Sequence, residues 1–186
     1  LIFLISGFRK KNYLLRKKYI LRGLYVSSFY LFIACGLKMY AVQQFKNTLD
    51  QQAIFYSDLI VKPTAFNIVL WNANVATKDA YLLADYSLFD TQPVTFTRYA
   101  KNEALSKELK GNCDFEALKK ISEGWYIVTM QNNRYYFNDL RFGLLVPDPV
   151  KPQFAFSYVF VQDDGELKAI EVPKQKRDGK ALLKNI

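Results

Sequence analysis

The chain opens on apolar positions, breaks into cations, and then turns apolar again for a long stretch. Leu1–Phe8 is nearly all apolar, Arg9, Lys10, Lys11, Arg16, Lys17, Lys18 and Arg22 follow, and Gly23–Leu37 carries no charge. Lys38 sits about one turn before the end of the run, and Met39–Val42 completes it. As one helix rising about 1.5 Å per residue, Gly23–Val42 covers roughly 30 Å, the thickness of the hydrocarbon core of a bilayer. The Lys38 stem can carry its ammonium out to the headgroups. Tyr25, Tyr40 and Phe45 fall near the two interfaces, where aromatic rings collect.

The pattern therefore predicts a transmembrane helix over residues 23–48. Residues 1–22 read as the end of a preceding membrane helix followed by a basic cytoplasmic loop, with Leu1 taken as a truncated start. A buried core helix would be shorter and would lack the seven flanking cations; an interfacial helix would spread its charges along one face. A competing reading is a lipoprotein-type signal ending at Cys35, although Phe32 stands where Leu is usual and the residues after Cys35 stay apolar.

Beyond the helix the period changes. Gln43–Asp58 is polar with Phe45, Leu49, Ile54 and Phe55 at helical spacing, and continues the helix into solvent. Asp58–Pro63 reads as a turn into the domain. Phe66–Thr77 and Ala80–Phe89 are strand-like runs separated by Lys78-Asp79, which predicts a hairpin, and Val94–Tyr99 adds a short strand. Asn102–Lys110 and Asp114–Ser122 are helical, with Asn112 and Asp114 as N-cap candidates and Gly124 as the stop. Trp125–Met130 and Arg134–Phe137 flank Gln131-Asn132-Asn133 as a second hairpin that Leu140–Val146 extends. Phe154–Val161 and Leu167–Val172 flank Asp163-Asp164-Gly165. The fold class expected is α+β: an N-terminal transmembrane helix, then an antiparallel β-sheet domain with two short helices over residues 49–172, then a basic tail over 173–186.

Charge changes this picture in one respect. The formal net charge is +9, but residues 1–50 hold nine Lys or Arg against one acid, whereas the remainder is nearly balanced. The basic excess belongs to the membrane flank and not to the domain, which argues against nucleic acid as a partner. It also orients the helix: the cationic side is cytoplasmic and the domain extracytoplasmic. The expected partners are the lipid bilayer and a lipid headgroup or other anionic small molecule.

Candidate chemistry is sparse. Histidine is absent from the chain, which removes Ser–His and Cys–His nucleophile systems within it. There is no GxGxxG, P-loop, GxSxG or CxxC pattern. Cys35 and Cys113 are not expected to pair, and Cys113 reads as a partly buried residue ahead of a helix cap. A working carboxylate pair would have to come from Asp85, Asp90 and Asp139. No catalytic residue and no metal ligand is assigned. The candidate binding face is Asn67, Trp71, Asp139 and Arg141. Asp139 and Arg141 are two apart, so in a strand they share a face and can pair, and Gly143 permits a bulge beside them. The bland alternative for each is structural: a turn for Asn67, a core ring for Trp71, and an ion pair for Asp139–Arg141.

Three runs carry a family resemblance. Pro63-Thr64 with Asn67 and Leu70-Trp71, then Tyr86-Ser87-Leu88 with Asp90, then Asp139-Leu140-Arg141-Phe142-Gly143, in this order after a membrane helix, resemble the bacterial membrane-bound metal-dependent hydrolases, the YdjM-like inner-membrane proteins. The likeness covers about residues 8–162. It implies a multi-span protein whose N-terminal membrane part holds a divalent metal on His and acidic ligands, with this chain as an accessory outer domain that carries no cofactor itself. Because the chain has no His, no ligand is carried over to any position in it. The alternative expectation is a membrane-tethered ligand-binding or sensor module without enzymatic activity. A third is a domain that only binds a protein partner.

Overall fold

A computed structural model describes residues 13–64, 67–146, 152–163 and 165–173. Leu1–Phe8, the cations Arg9, Lys10 and Lys11, Asp164, and the basic tail beyond Pro173 lie outside the described residues. Among the described residues a 39-residue helix, α1 (Tyr13–Gln51), comes first. It starts ahead of the expected Gly23: the sequence from Tyr13 to Arg22, read as loop, is helical. None of its side chains from Tyr13 to Tyr40 is buried, and it is long and apolar enough to cross a membrane. Burial begins only at its end, where Ala41, Phe45, Thr48 and Leu49 form one stripe at spacings of four and three residues.

Eight strands and two short helices follow among the described residues: β1 (Asp58–Pro63), β2 (Leu70–Ala76), β3 (Ala80–Ser87), β4 (Thr97–Ala100), α2 (Glu103–Glu108), α3 (Cys113–Ile121), β5 (Tyr126–Gln131), β6 (Arg134–Val146), β7 (Gln153–Asp163) and β8 (Glu166–Glu171). The strands divide between two four-stranded sheets, in the orders β1-β2-β3-β4 and β5-β6-β7-β8. The architecture is α+β, as expected.

Three features depart from the sequence pattern, each for a local reason. Asp58–Pro63 is a strand and not a turn; Val61 is buried, and Pro63, which cannot donate to a ladder, is tolerated because β1 is an edge. The second strand begins at Leu70; Phe66, its expected start, lies outside the described residues. The Asn67 carboxamide oxygen accepts from the backbone N–H of Val69 (2.5 Å) and of Leu70 (3.0 Å), which holds the chain in an Asx turn up to that point. Cys113 is exposed, not partly buried, because the inward position of its turn goes to Phe115.

Local signals account well for the rest. Asn112 caps α3 by accepting from Phe115 N–H at 3.0 Å. Asp114 lies two residues further on, in the first turn, and takes the backbone N–H of Ala169 instead (2.8 Å). Gly124, at φ +81°, follows the helix in the left-handed region, as a C-terminal stop requires. Asn132 and Asn133 both have positive φ and close the β5–β6 hairpin between Gln131 and Arg134.

The chain forms two compact units. One holds α1, Val61–Ala73 and Asp85–Val94; the other holds Tyr56–Ile60, Asn74–Ala84 and the chain from Thr95 onward. In the first, Phe45 is fully buried and meets Tyr86 edge to face at 5.8 Å. In the second, both faces of the β5–β8 sheet are covered. On one face Val128, Phe137 and Phe160 pack with Leu109 and Phe115 of the α2–α3 region. On the other, Trp125, Ile127, Leu140 and Phe154 pack with Ala76, Tyr81 and Leu83.

Candidate functional site

The four residues singled out from the sequence fall in separate units. Asn67 and Trp71 belong to the first. Asn67 is the acceptor of the Asx turn, and Trp71 is buried with its indole N–H donated to the Ile68 carbonyl at 3.1 Å. Both are accounted for by the turn and core that they build.

Asp139 and Arg141 belong to the second unit and do pair. Arg141 Nη2 donates to Asp139 Oδ2 at 2.8 Å, Nε lies 3.2 Å from Oδ1, and the Arg141 backbone N–H also reaches Oδ1 at 2.9 Å. The third guanidinium nitrogen, Nη1, meets Glu123 Oε1 at 3.3 Å. Asp139 is buried, and the Arg141 side chain is 15% exposed. Hydrogen bonding to Asp139 pushes the Arg141 pKa up, against the cost of burial. A register irregularity follows Asp139 in β6, and Gly143 there adopts φ +68°, so the expected bulge is present. The guanidinium expected to face an external anion is thus engaged at all three nitrogens by carboxylates of its own chain.

The other candidate carboxylates are also held locally. Asp85 accepts from the Asn72 carboxamide, and Asp90 accepts from the Ser87 backbone N–H at 2.8 Å. Among the described residues no three His, Cys, Asp or Glu side chains converge as a metal site.

A different feature of the second unit has the makings of a site. A cleft of about 420 Å³ opens where α2, α3 and the start of β5 meet. Its rim carries Lys101, Lys107, Lys110 and Lys119 against Glu103 and Glu116. Phe115 and Tyr126 form part of its wall, in edge-to-face contact at 5.8 Å. Lys101 is held in place: Nζ donates to the Thr77 carbonyl at 2.6 Å and lies 4.9 Å from the centre of the Tyr81 ring. Tyr81 in turn donates its hydroxyl to the Gly124 carbonyl at 2.7 Å, and burial raises its pKa. Lys107, Lys110 and Lys119 have no carboxylate at ion-pair distance among the described residues. Sequence reasoning missed this cleft because lysines on short amphipathic helices look the same whether they border a cavity or open water.

Comparison with protein families finds no match for this chain. No curated protein and no solved structure matches it either.

Proposed function

We propose that the chain is a membrane-anchored, extracytoplasmic binding module of the bacterial inner membrane, without catalytic activity, that takes an anionic group in the lysine-rimmed cleft. The observation that carries the reading is the set of three lysines, Lys107, Lys110 and Lys119, around an aromatic-walled cavity and with no carboxylate at ion-pair distance among the described residues. Cations that converge on a concave, partly apolar surface favour a phosphate or carboxylate over water. Arg141 supports this indirectly, because its own neutralisation leaves anion recognition to the lysines. The anchor in this reading is α1, with its run of exposed apolar side chains from Leu21 to Tyr40.

The test is binding of inorganic phosphate, and separately of vesicles containing phosphatidylglycerol, to the full chain in neutral detergent or nanodiscs. Saturable, salt-sensitive binding that weakens tenfold or more in the triple variant Lys107→Gln/Lys110→Gln/Lys119→Gln is expected. Binding by vesicles alone points to a lipid headgroup, and binding of both points to phosphate as the recognised chemistry. No binding to either probe, or equal binding by the triple variant, overturns the proposal.

A second reading, favoured by the run Asp139–Gly143, makes the chain an accessory domain of a membrane-bound metal-dependent hydrolase. The described residues do not themselves suit a metal. On this reading, deleting residues 50–186 from the full-length protein leaves bound divalent metal in place and abolishes hydrolysis. Metal retained by the 50–186 piece would contradict it.

A further inference from the structure

The β5–β8 sheet carries a second cavity whose chemistry is the opposite of the lysine cleft. Antiparallel pairing aligns Ile127, Asn138 and Ser157 in one row across β5, β6 and β7, and aligns Thr129 with Tyr136 in the next. These residues alternate with Val128, Phe137 and Tyr158, which pack toward α2 and α3. They therefore lie on the other face of the sheet. There they line a cleft of about 260 Å³ together with Tyr99, Gln131 and Phe154. Among the described residues, none that lines this cleft is charged, in a chain where 23% of residues are.

Asn138 is the organising residue. It is 4% exposed, and both ends of its carboxamide are engaged. Ser157 Oγ donates to Asn138 Oδ1 at 2.7 Å, and Asn138 Nδ2 donates to Thr129 Oγ1 at 3.2 Å. One amide therefore sets two hydroxyls in opposite senses. Thr129, used as an acceptor, keeps its proton to donate, and Ser157, used as a donor, keeps its lone pairs to accept. Reversing the amide would exchange the two roles and leave the same result: one fixed donor and one fixed acceptor side by side. The ring of Tyr99 meets Phe154 edge to face at 5.5 Å and adds an aromatic wall.

We infer that this cleft binds an uncharged polyhydroxylated molecule, a saccharide ring or short oligosaccharide. A charged ligand would lose its hydration without meeting an opposite charge. A purely apolar ligand would cover the Thr129 proton and the Ser157 lone pairs that Asn138 does not use, and would pair with neither. A peptide added as a strand would need a sheet edge, and this cleft sits on a face. A sugar ring has hydroxyls that both donate and accept, and a C–H face that packs on aromatic rings. The volume lies just below the usual range of ligand cavities and suits a single ring, with any further ring of an oligosaccharide outside it. The inference is independent of the anion site, which is on the other face.

The experiment is a titration of the full chain, held in a detergent without sugar headgroups, with neutral hexoses, N-acetylhexosamines and disaccharides. Binding is read from amide chemical shifts and tyrosine fluorescence. Saturable binding is expected, with shifts concentrated at Thr129, Asn138 and Ser157. Thr129→Val and Ser157→Ala should each weaken it at least tenfold, and the exposed Gln131→Ala, which leaves the fold untouched, by a few-fold. The triple lysine variant should bind sugar normally, so failure of the anion reading does not affect this outcome. Lack of saturation by about 10 mM of every sugar tested would overturn the inference. So would equal binding by the folded Gln131→Ala and Ser157→Ala variants, or tighter binding of a sugar phosphate than of its neutral parent.

Discussion

Asn74 donates through Nδ2 to the backbone oxygen of Leu140 at 2.7 Å, which joins β2 of the first sheet to β6 of the second within one unit. Both residues are buried, and the pair is sixty-six positions apart in sequence. The other end of the Asn74 carboxamide, Oδ1, has no hydrogen-bond partner among the described residues. Leu140 also donates its own N–H to the Trp125 carbonyl at 3.0 Å, so this point of β6 is gripped from two sides.

Replacing Asn74 by Ala removes the donor and leaves the Leu140 carbonyl buried without it. An unfolding free energy lower by about 1–3 kcal/mol is expected, read by urea titration of tryptophan fluorescence. A loss below about 0.5 kcal/mol would mean that the carbonyl finds another donor and that the two sheets are not joined here.

The Asp139–Arg141 pair should matter to stability and not to anion binding. Asp139→Ala removes the buried carboxylate that meets two nitrogens of a guanidinium only 15% exposed. A cost of about 2–4 kcal/mol follows, because a largely buried charge that loses its main partner costs more than the lost bond itself. Arg141→Lys should recover only part of wild-type stability, since a lysine cannot meet both oxygens and the neighbouring acid with one fork. Phosphate affinity measured on the folded Arg141→Lys variant should match wild type. A tenfold loss there would return Arg141 to the binding site.

Tyr86 predicts an alkaline limit for the first unit. Burial, together with the hydrogen bond to Tyr40 and the charges of Tyr40 and Asp90, pushes its phenol up to about 12, from the ordinary 10.0. The unfolded chain therefore releases this proton at lower pH than the folded chain does. The stabilisation is fully present below pH 10 and is lost as the pH rises from 10 towards 12. Tyr86→Phe should flatten the stability profile across that window, as measured by thermal melts at stepped pH. A profile equally steep in the variant would assign the loss to other groups.

The two cysteines report on the membrane. Both are exposed and unpaired in the fold, with Cys35 in the apolar part of α1 and Cys113 at the start of α3. In intact cells stripped of their outer layer, a membrane-impermeant maleimide should label Cys113 and spare Cys35. Phe32→Arg places a charge near the middle of the apolar run, at a penalty of about 3 kcal/mol for insertion, and should shift the chain into the soluble fraction. Labelling of Cys35 at the same rate as Cys113 would mean that α1 is in water.

Much of the fold was readable from local pattern, because its causes are local. A helix able to cross a bilayer needs only length and an apolar composition, and both are plain between Gly23 and Val42. Asn132-Asn133 selects its hairpin, Asn112 its cap and Gly124 its stop, each through the torsion angles and hydrogen bonds of a few adjacent residues. The spacing of Asp139 and Arg141 likewise announced their pairing.

Which groups are left to meet a ligand was decided by tertiary structure alone. Nothing in sequence places Glu123 at Arg141, yet that contact occupies the third nitrogen of the guanidinium. The Thr129–Asn138–Ser157 relay exists because three strands share one register, and a slip of one residue would turn every member to the other face. Lys107, Lys110 and Lys119 border a cavity only because α2 and α3 settle together against β5. Local sequence sets conformation over a few residues, whereas convergence of side chains depends on contacts made across the whole fold.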